Sequence, residues 1–487
     1  MLFNSIDFAI FLPAVFILYW FVLGKNLQLQ NLLIVVSSYL FYGWWDWRYL
    51  ILIFISTLID FLVGIGLSNQ TNLRKRKMLL WISIISNIGL LCFFKYYNFF
   101  LENFVSTFLF FGKEIKSNSL NFILPVGISF YTFQTLGYSI DIYKKKLEPT
   151  KNFLTFSAFV SFFPQLVAGP IERATHLLPQ FYQKKVFDYS KAVDGMRQIL
   201  WGLFKKIVFA DNCAEYANLI FNNSADYTGV TLFLGAIFFT FQIYGDFSGY
   251  SDIAIGTSRL FSFELMQNFK FPYFSRDIAE FWRRWHISLS TWFRDYVYIP
   301  LGGSRGGTFQ KIRNTFIIFV VSGFWHGANW TFIVWGILHA IYFLPLLLTN
   351  KNRNHIEIVS KGNLIPTFNE TLKIVLTFTL TVFAWIFFRA NNIEHALNFI
   401  YNLIIGMNTK IGYLQLVNLM QYKIGYATLI LLLLFIIIEW IGREGQYAIY
   451  NLGIKWSRSF RYALYYAIII VIFWNSGEEQ QFIYFQF

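Results

Sequence analysis

Long apolar runs recur along this 487-residue chain, at about residues 6–23, 31–43, 48–67, 79–94 and 121–142, and again at 195–210, 229–245, 315–347, 371–388, 396–406, 424–441 and 460–475. Such runs admit few folds. Hydrocarbon offers the backbone no hydrogen-bond partner, so a chain lying in it must form helices or close into a barrel. Barrel strands alternate polar and apolar residues, whereas these runs are continuous. Only 14% of the residues are charged, against about a quarter in a soluble protein, which is too few to cover a water-facing surface. The expected fold is an all-α polytopic membrane protein with about eleven or more transmembrane or re-entrant segments in one unit, and no soluble domain.

The first run, in "MLFNSIDFAIFLPAVFILYWFVLGK", lacks a basic leader and a small-residue cleavage site, and is expected to stay in the membrane as the first span. The net charge of +14 does not point to nucleic acid, because the cations fall in short clusters between spans. Lys25, Arg74 to Lys77 and Lys144 to Lys146 follow the first, third and fifth spans, which puts those loops in the cytoplasm and the N-terminus outside. Cys92 and Cys213 are read as small apolar residues rather than a disulfide or metal pair. In "SFFPQLVAGPIERATHLLPQF", Pro164, Gly169 and Pro170 break any helix, so a re-entrant segment is expected there. The run from Thr315 to Leu348 exceeds the roughly 20 residues of one crossing and is read as two elements meeting near "WHGANW".

Three polar groupings stand out in this apolar setting. In "SGFWHGANW", a helix would place Ser322, Gly323, His326 and Trp330 on one face. The small neighbours Gly323, Gly327 and Ala328 would admit a second helix or a ligand, and Asn329 offers a donor and an acceptor. An ionisable group at membrane depth is a functional candidate by default; the plainer alternative is a histidine that hydrogen-bonds between helices. In "FWRRWHISLSTWFRDYVYIPLGGSRGG", Trp282, Trp285, Leu289, Trp292 and Tyr296 recur at helical steps. His286 lies at the edge of that stripe, Arg283 and Arg284 lie off it, and the glycine loop with Arg305 could hold phosphate groups. The bland reading is an interfacial amphipathic helix. In "IYGDFSGYSDIAIG", Asp246, Ser248 and Asp252 could perform acid/base work or form a packing network. His339 falls on a different helical face from His326, and His176, His355 and His395 read as solvated. Metalloprotease, P-loop, nucleophile-elbow and dinucleotide-binding signatures are absent from the sequence.

The stretches "YGDFSGYSDIAIG", "NFKFPYFSRDIAEFWRRWHISLSTWFRDYVYIPLGG", "GFWHGANWTFIVWG" and "FAWIFFRANN", with "LPVGISFYTFQTLGYSIDIYK" upstream and the terminal "FIYFQF", resemble the membrane-bound O-acyltransferase family, in particular its bacterial branch that acetylates alginate. The resemblance covers nearly the whole chain. It implies one membrane domain, with N-terminal spans in 1–150, a core in 151–350 and C-terminal spans in 351–487, around a central tunnel. The family's near-invariant histidine maps onto His326 and its second histidine onto His286. The resemblance further implies transfer of an acetyl group from a cytoplasmic thioester, acetyl-CoA or a carrier derived from it, with no bound cofactor and no metal. The acceptor would be an extracytoplasmic polysaccharide, alginate-like, with a partner acetyltransferase able to complete the transfer at the bacterial inner membrane. Trp325 and Trp330 would wall the tunnel, and Arg283, Arg284 and Arg305 would meet CoA phosphates from the cytoplasmic side. Peptidoglycan, teichoic acid or cellulose are the rival acceptors; a polysaccharide flippase, or a scaffold for a partner enzyme, are the rivals without chemistry.

Overall fold

The computed structural model of the chain describes residues 1–115, 124–421, 425–475 and 480–483. The expected span at 121–142 therefore begins outside the described residues, as does most of "FIYFQF". Among the described residues the structure is helical, without strands. In chain order the helices are α1 (Ile6–Ile17), α2 (Leu27–Asp46), α3 (Leu50–Asn69), α4 (Leu73–Leu91), α5 (Tyr97–Phe110), α6 (Ile128–Tyr143), α7 (Phe153–Ser161), α8 (Phe163–Leu166), α9 (Ala174–Leu177), α10 (Tyr189–Leu203) and α11 (Asp211–Asn222). There follow α12 (Val230–Leu260), α13 (Ile278–Arg284), α14 (Ile287–Phe293), α15 (Thr308–His326), α16 (Trp330–Leu348), α17 (Phe368–Arg389), α18 (Ile393–Gly406), α19 (Lys410–Leu419), α20 (Gly425–Gly442) and α21 (Arg458–Trp474).

Five described stretches are long and apolar enough to cross a membrane: Leu27–Asn69, Leu73–Phe110, Val230–Leu260, Trp330–Leu348 and Phe368–Arg389. The protein is thus a multi-pass membrane protein. The helices begin where the sequence supplies a cap. The side chains of Asn26 and Asn72 accept from the first free N–H groups of α2 and α4, and Thr367 with Glu370 forms a capping box on α17. The breaks expected around Pro164 and Pro170 are present: α7 stops at Ser161, α8 is one turn long, and the segment is buried throughout.

The chain divides into two compact units, one of Met1–Gly195 with Thr257–Met266 and one of Met196–Gly256 with Gln267–Phe487. In the first, α3, α4 and α6 share a buried polar knot. Asp60 accepts from Asn87 Nδ2 at 2.8 Å, from Ser139 Oγ at 2.7 Å and from Ser83, and Thr135 donates to Asn87 Oδ1 at 3.1 Å. Bonds of this kind hold helices together where lipid and side chain are equally apolar.

In the second unit, the tightest crossing joins α15 to α16. A β-carbon on Gly323 would lie 2.2 Å from the Phe332 carbonyl oxygen, and one on Gly336 would lie 2.4 Å from that of Phe319. Both obstacles are backbone, so the helices must separate to admit any side chain. Gly336→Ala is expected to lower the detergent-solubilised protein's melting temperature by several degrees, since overpacking costs about 1–3 kcal/mol. A melting curve equal to that of the parent protein would refute this account of the crossing.

Candidate active site

The helix that carries His326 ends on it. Gly327 is extended, with φ −162° and ψ 152°, and a β-carbon there would meet the Phe332 ring at 2.0 Å. The glycines flanking His326 therefore make room for α16 rather than for a ligand. Asn329 caps α16, its Oδ1 accepting from Thr331 N at 3.0 Å, while its Nδ2 donates to Asn391 O at 2.9 Å. Trp330 belongs to the next helix and is 51% exposed, so it does not share the face of His326 as a continuous helix would require. The His326 ring is buried among Trp325, Trp335 and Phe388, at centroid distances of 4.9, 5.3 and 5.3 Å.

The apolar stripe from Trp282 to Tyr296 is also broken. The chain leaves α13 at Trp285, and His286 takes the left-handed conformation, φ 43° and ψ 55°, before α14 begins. A non-glycine residue rarely adopts this geometry without support. The support comes from Asn268. Its main-chain oxygen accepts from Ile287 N at 2.9 Å, and its Oδ1 accepts from Ser288 N at 3.3 Å and Ser288 Oγ at 2.9 Å. Asn268 thus satisfies the first free N–H groups of α14, which His286 cannot cap itself. The same Oδ1 lies 3.1 Å from His286 Nδ1. His286 is fully buried against Phe247 and Trp325, and burial pushes its pKa down to about 3, so the ring is neutral.

These two imidazoles, far apart in sequence, have ring centroids 6.3 Å apart. That is too far for a direct hydrogen bond, but one bridging atom could reach both rings. A hydroxyl between them can donate to one nitrogen and accept from another. His339 lies on the far side of Trp335, its Nδ1 accepting from Trp282 Nε1 at 3.2 Å. Of the remaining histidines, His176 pairs with Glu172 at 2.7 Å, His395 bonds Ser224 at 3.0 Å, and His355 stands 3.9 Å from Asp277.

Beside the pair, α12 contributes a second cluster. Lys205 Nζ lies 2.5 Å from Asp252 Oδ2 and 2.9 Å from Ser248 Oγ. Lys206 Nζ lies 2.9 Å from Asp246 and 2.7 Å from Asp211. Both lysines sit in a π-helical stretch, Phe204–Ala210, which α12 approaches through Gly202 and Gly249. A β-carbon on either glycine would come within 3 Å of the other's carbonyl oxygen. Asp246 Oδ2 also accepts from Ile483 N at 2.7 Å. Asp246 and Ser248 are therefore held in a lattice of ion pairs and hydrogen bonds with Lys206 and Lys205. Tyr244 donates to Glu439 Oε2 at 2.5 Å. A cavity of about 20 Å³, room for about one water, is lined by Lys205, Ser248, Asp252, Asn268 and Glu439 among others.

The arginines expected at donor phosphates are engaged elsewhere. Arg283 donates to the carbonyls of Asn352 and His355, at 2.8 Å each. Arg284 is buried, bonds Glu280 at 2.7 Å and donates to Glu357 O at 3.2 Å. Both pin the 352–357 loop to α13, Arg284 from a buried position where its guanidinium donors must be met by the protein's own oxygens and Arg283 from an exposed one. Arg305 is exposed as well, in the glycine loop before α15. Among the described residues no group of three or more histidine, cysteine or acidic side chains is placed to hold a metal.

The chain is similar to known proteins over most of its length. The sequence profile described as the membrane-bound O-acyltransferase family matches residues 144–387, which include both imidazoles. The chain is 34% identical, over the full length of both proteins, to a probable alginate O-acetylase of Pseudomonas putida. It is 37% identical to that of Pseudomonas aeruginosa, across 89% of this chain and 81% of the relative. A peptidoglycan O-acetyltransferase of Helicobacter pylori is 36% identical, across 84% and 80%.

Proposed function

This chain belongs to the membrane-bound O-acyltransferase family, and from that premise we propose that it is an O-acetyltransferase acting on an extracytoplasmic polysaccharide of the alginate kind. The observation that supports the reading most is the pairing of His326 with His286, 6.3 Å apart, in a buried aromatic setting. Attack of a hydroxyl on a thioester carbonyl needs its proton removed as the C–O bond forms, and a neutral imidazole suits that task. His326 takes the proton of the attacking hydroxyl. The tetrahedral intermediate collapses with loss of the thiolate, which recovers a proton, leaving an ester and a free thiol. His286 stands across the gap, where it orients His326 or the reacting oxygen.

The donor is acetyl-CoA or a carrier derived from it, arriving from the cytoplasm, and the exposed Arg283 and Arg305 are cations that could meet its phosphates. A tunnel through eleven or more membrane-embedded segments would bring donor and acceptor to the two rings from opposite faces of the inner membrane, with Trp325 on its wall. A partner acetyltransferase outside the membrane would receive the group where the polymer is not the direct acceptor.

The assay is direct. Full-length protein in proteoliposomes, supplied with acetyl-labelled CoA on one face and an alginate oligosaccharide on the other, should form base-labile labelled ester on the sugar. Movement of sugar without ester would favour a flippase; label appearing only on added peptidoglycan fragments would favour the acceptor named for the Helicobacter relative. Either outcome would overturn the proposal of an alginate-type acetyltransferase.

A further inference from the structure

We propose that Asn268 is a positioning residue for His286, one that fixes the imidazole as its Nδ1–H tautomer and so makes Nε2 the nitrogen with the lone pair. The inference rests on the reading of His286 as a member of the working pair. The tautomer follows from the hydrogen bonds. Ser288 N can only donate, and it lies 3.3 Å from one terminal atom of the Asn268 side chain; that atom is therefore the amide oxygen. The other terminal atom, the NH₂, donates to Ser251 Oγ at 3.2 Å, which holds the amide in the same sense from α12. An oxygen acceptor 3.1 Å from His286 Nδ1 requires a proton on Nδ1, and a neutral ring then carries none on Nε2.

Backbone and side chain act together here. The residue that locks the ring also accepts from Ile287 N and Ser288 N, so the left-handed turn at His286 and the orientation of its ring share one support. Outer partners of this kind set ring orientation and basicity in metal-bound histidines, where losing them typically costs about 10–100-fold in affinity or activity. The ring's other neighbours include Phe247, Phe269, Trp325 and the imidazole of His326. On the Asn268 side, the charged groups are Lys205, Asp252 and Glu439, which line the cavity that Asn268 also lines. With Nε2 as the lone-pair nitrogen, His286 can only accept a hydrogen bond at that atom. It does not donate one to a developing oxyanion.

The test compares Asn268→Leu, Asn268→Asp and His286→Ala in the full-length protein, reconstituted and assayed for acetyl transfer across pH. Asn268→Leu removes the acceptor and should lower kcat about 10–100-fold with the donor KM unchanged. Asn268→Asp restores an acceptor, so it should recover activity relative to Asn268→Leu. Its carboxylate favours the imidazolium and should move the acidic limb of the pH–rate profile to higher pH. Wild-type kcat in Asn268→Leu would overturn the assignment. So would an Asn268→Asp profile superimposable on the parent's, and that measurement decides alone if Asn268→Leu does not reach the membrane. Full activity in His286→Ala would instead remove the premise; an inactive His286→Ala beside a fully active Asn268→Leu would remove the positioning role only.

Discussion

His326→Ala is expected to lose 10²–10⁴-fold of kcat, about the contribution of a positioned general base, while the protein inserts and melts nearly as the parent does. The site is asymmetric in this respect. His326 is the last residue of α15, after which the chain turns at Gly327, so its ring packs on Trp335 of α16 while the backbone approach at Gly323 and Gly336 is made without it. Truncation to alanine leaves a cavity among Trp325, Trp335 and Phe388 and deletes the basic nitrogen. His326→Gln, which nearly fills the space and can hydrogen-bond but not act as a base at neutral pH, should be about as inactive as alanine and more stable. Acetyl transfer by either variant within a few-fold of wild type would remove His326 from the chemistry and leave it a packing residue.

The largest effect on stability is expected at Lys205. Its ammonium and the Asp252 carboxylate are both buried, 2.5 Å apart, with Gln198 donating to the same carboxylate at 2.8 Å. Removing one partner of a buried pair leaves an uncompensated charge and typically costs about 3–5 kcal/mol, whereas replacing both with apolar residues is often nearly neutral. Lys205→Met should therefore melt far below the parent protein. Lys205→Met with Asp252→Leu should recover much of the loss, measured by thermal unfolding in detergent of the two single variants and the double one. Equal, additive losses would show that the two groups do not depend on each other.

How much of the molecule is legible in the sequence depends on whether a residue's meaning is local. The helices follow apolar runs and caps a few residues long, and the run from Thr315 to Leu348 divides where its polar centre, "WHGANW", suggests. The two imidazoles stand out because an ionisable group in hydrocarbon is costly. By the same rule Lys205, Lys206 and Glu439, set in "LFKKIVF" and "FIIIEWIG", carry a readable signal, one that belongs to no motif and so goes unnoticed when motifs are sought. The misread residues are those whose partners come from elsewhere in the chain. Arg284 resembles a phosphate ligand until Glu280 and the carbonyl of Glu357 are seen to occupy it. Asn329 and the glycines beside His326 suggest an open pocket, yet they cap and pack α16. Asn268 lies in "MQNFKFPY", and nothing local marks it; its importance exists only once the 268–271 segment meets the α13–α14 break.

The left-handed backbone at His286 also restricts which chemistries can be sampled at that position. Glycine, asparagine and aspartate tolerate this conformation, while β-branched and bulky side chains do not. Descendants of this chain that abandon the imidazole would thus be channelled toward an amide, a carboxylate or a bare backbone before selection on catalysis begins. Conformation comes first there, and reactivity is chosen from what it leaves.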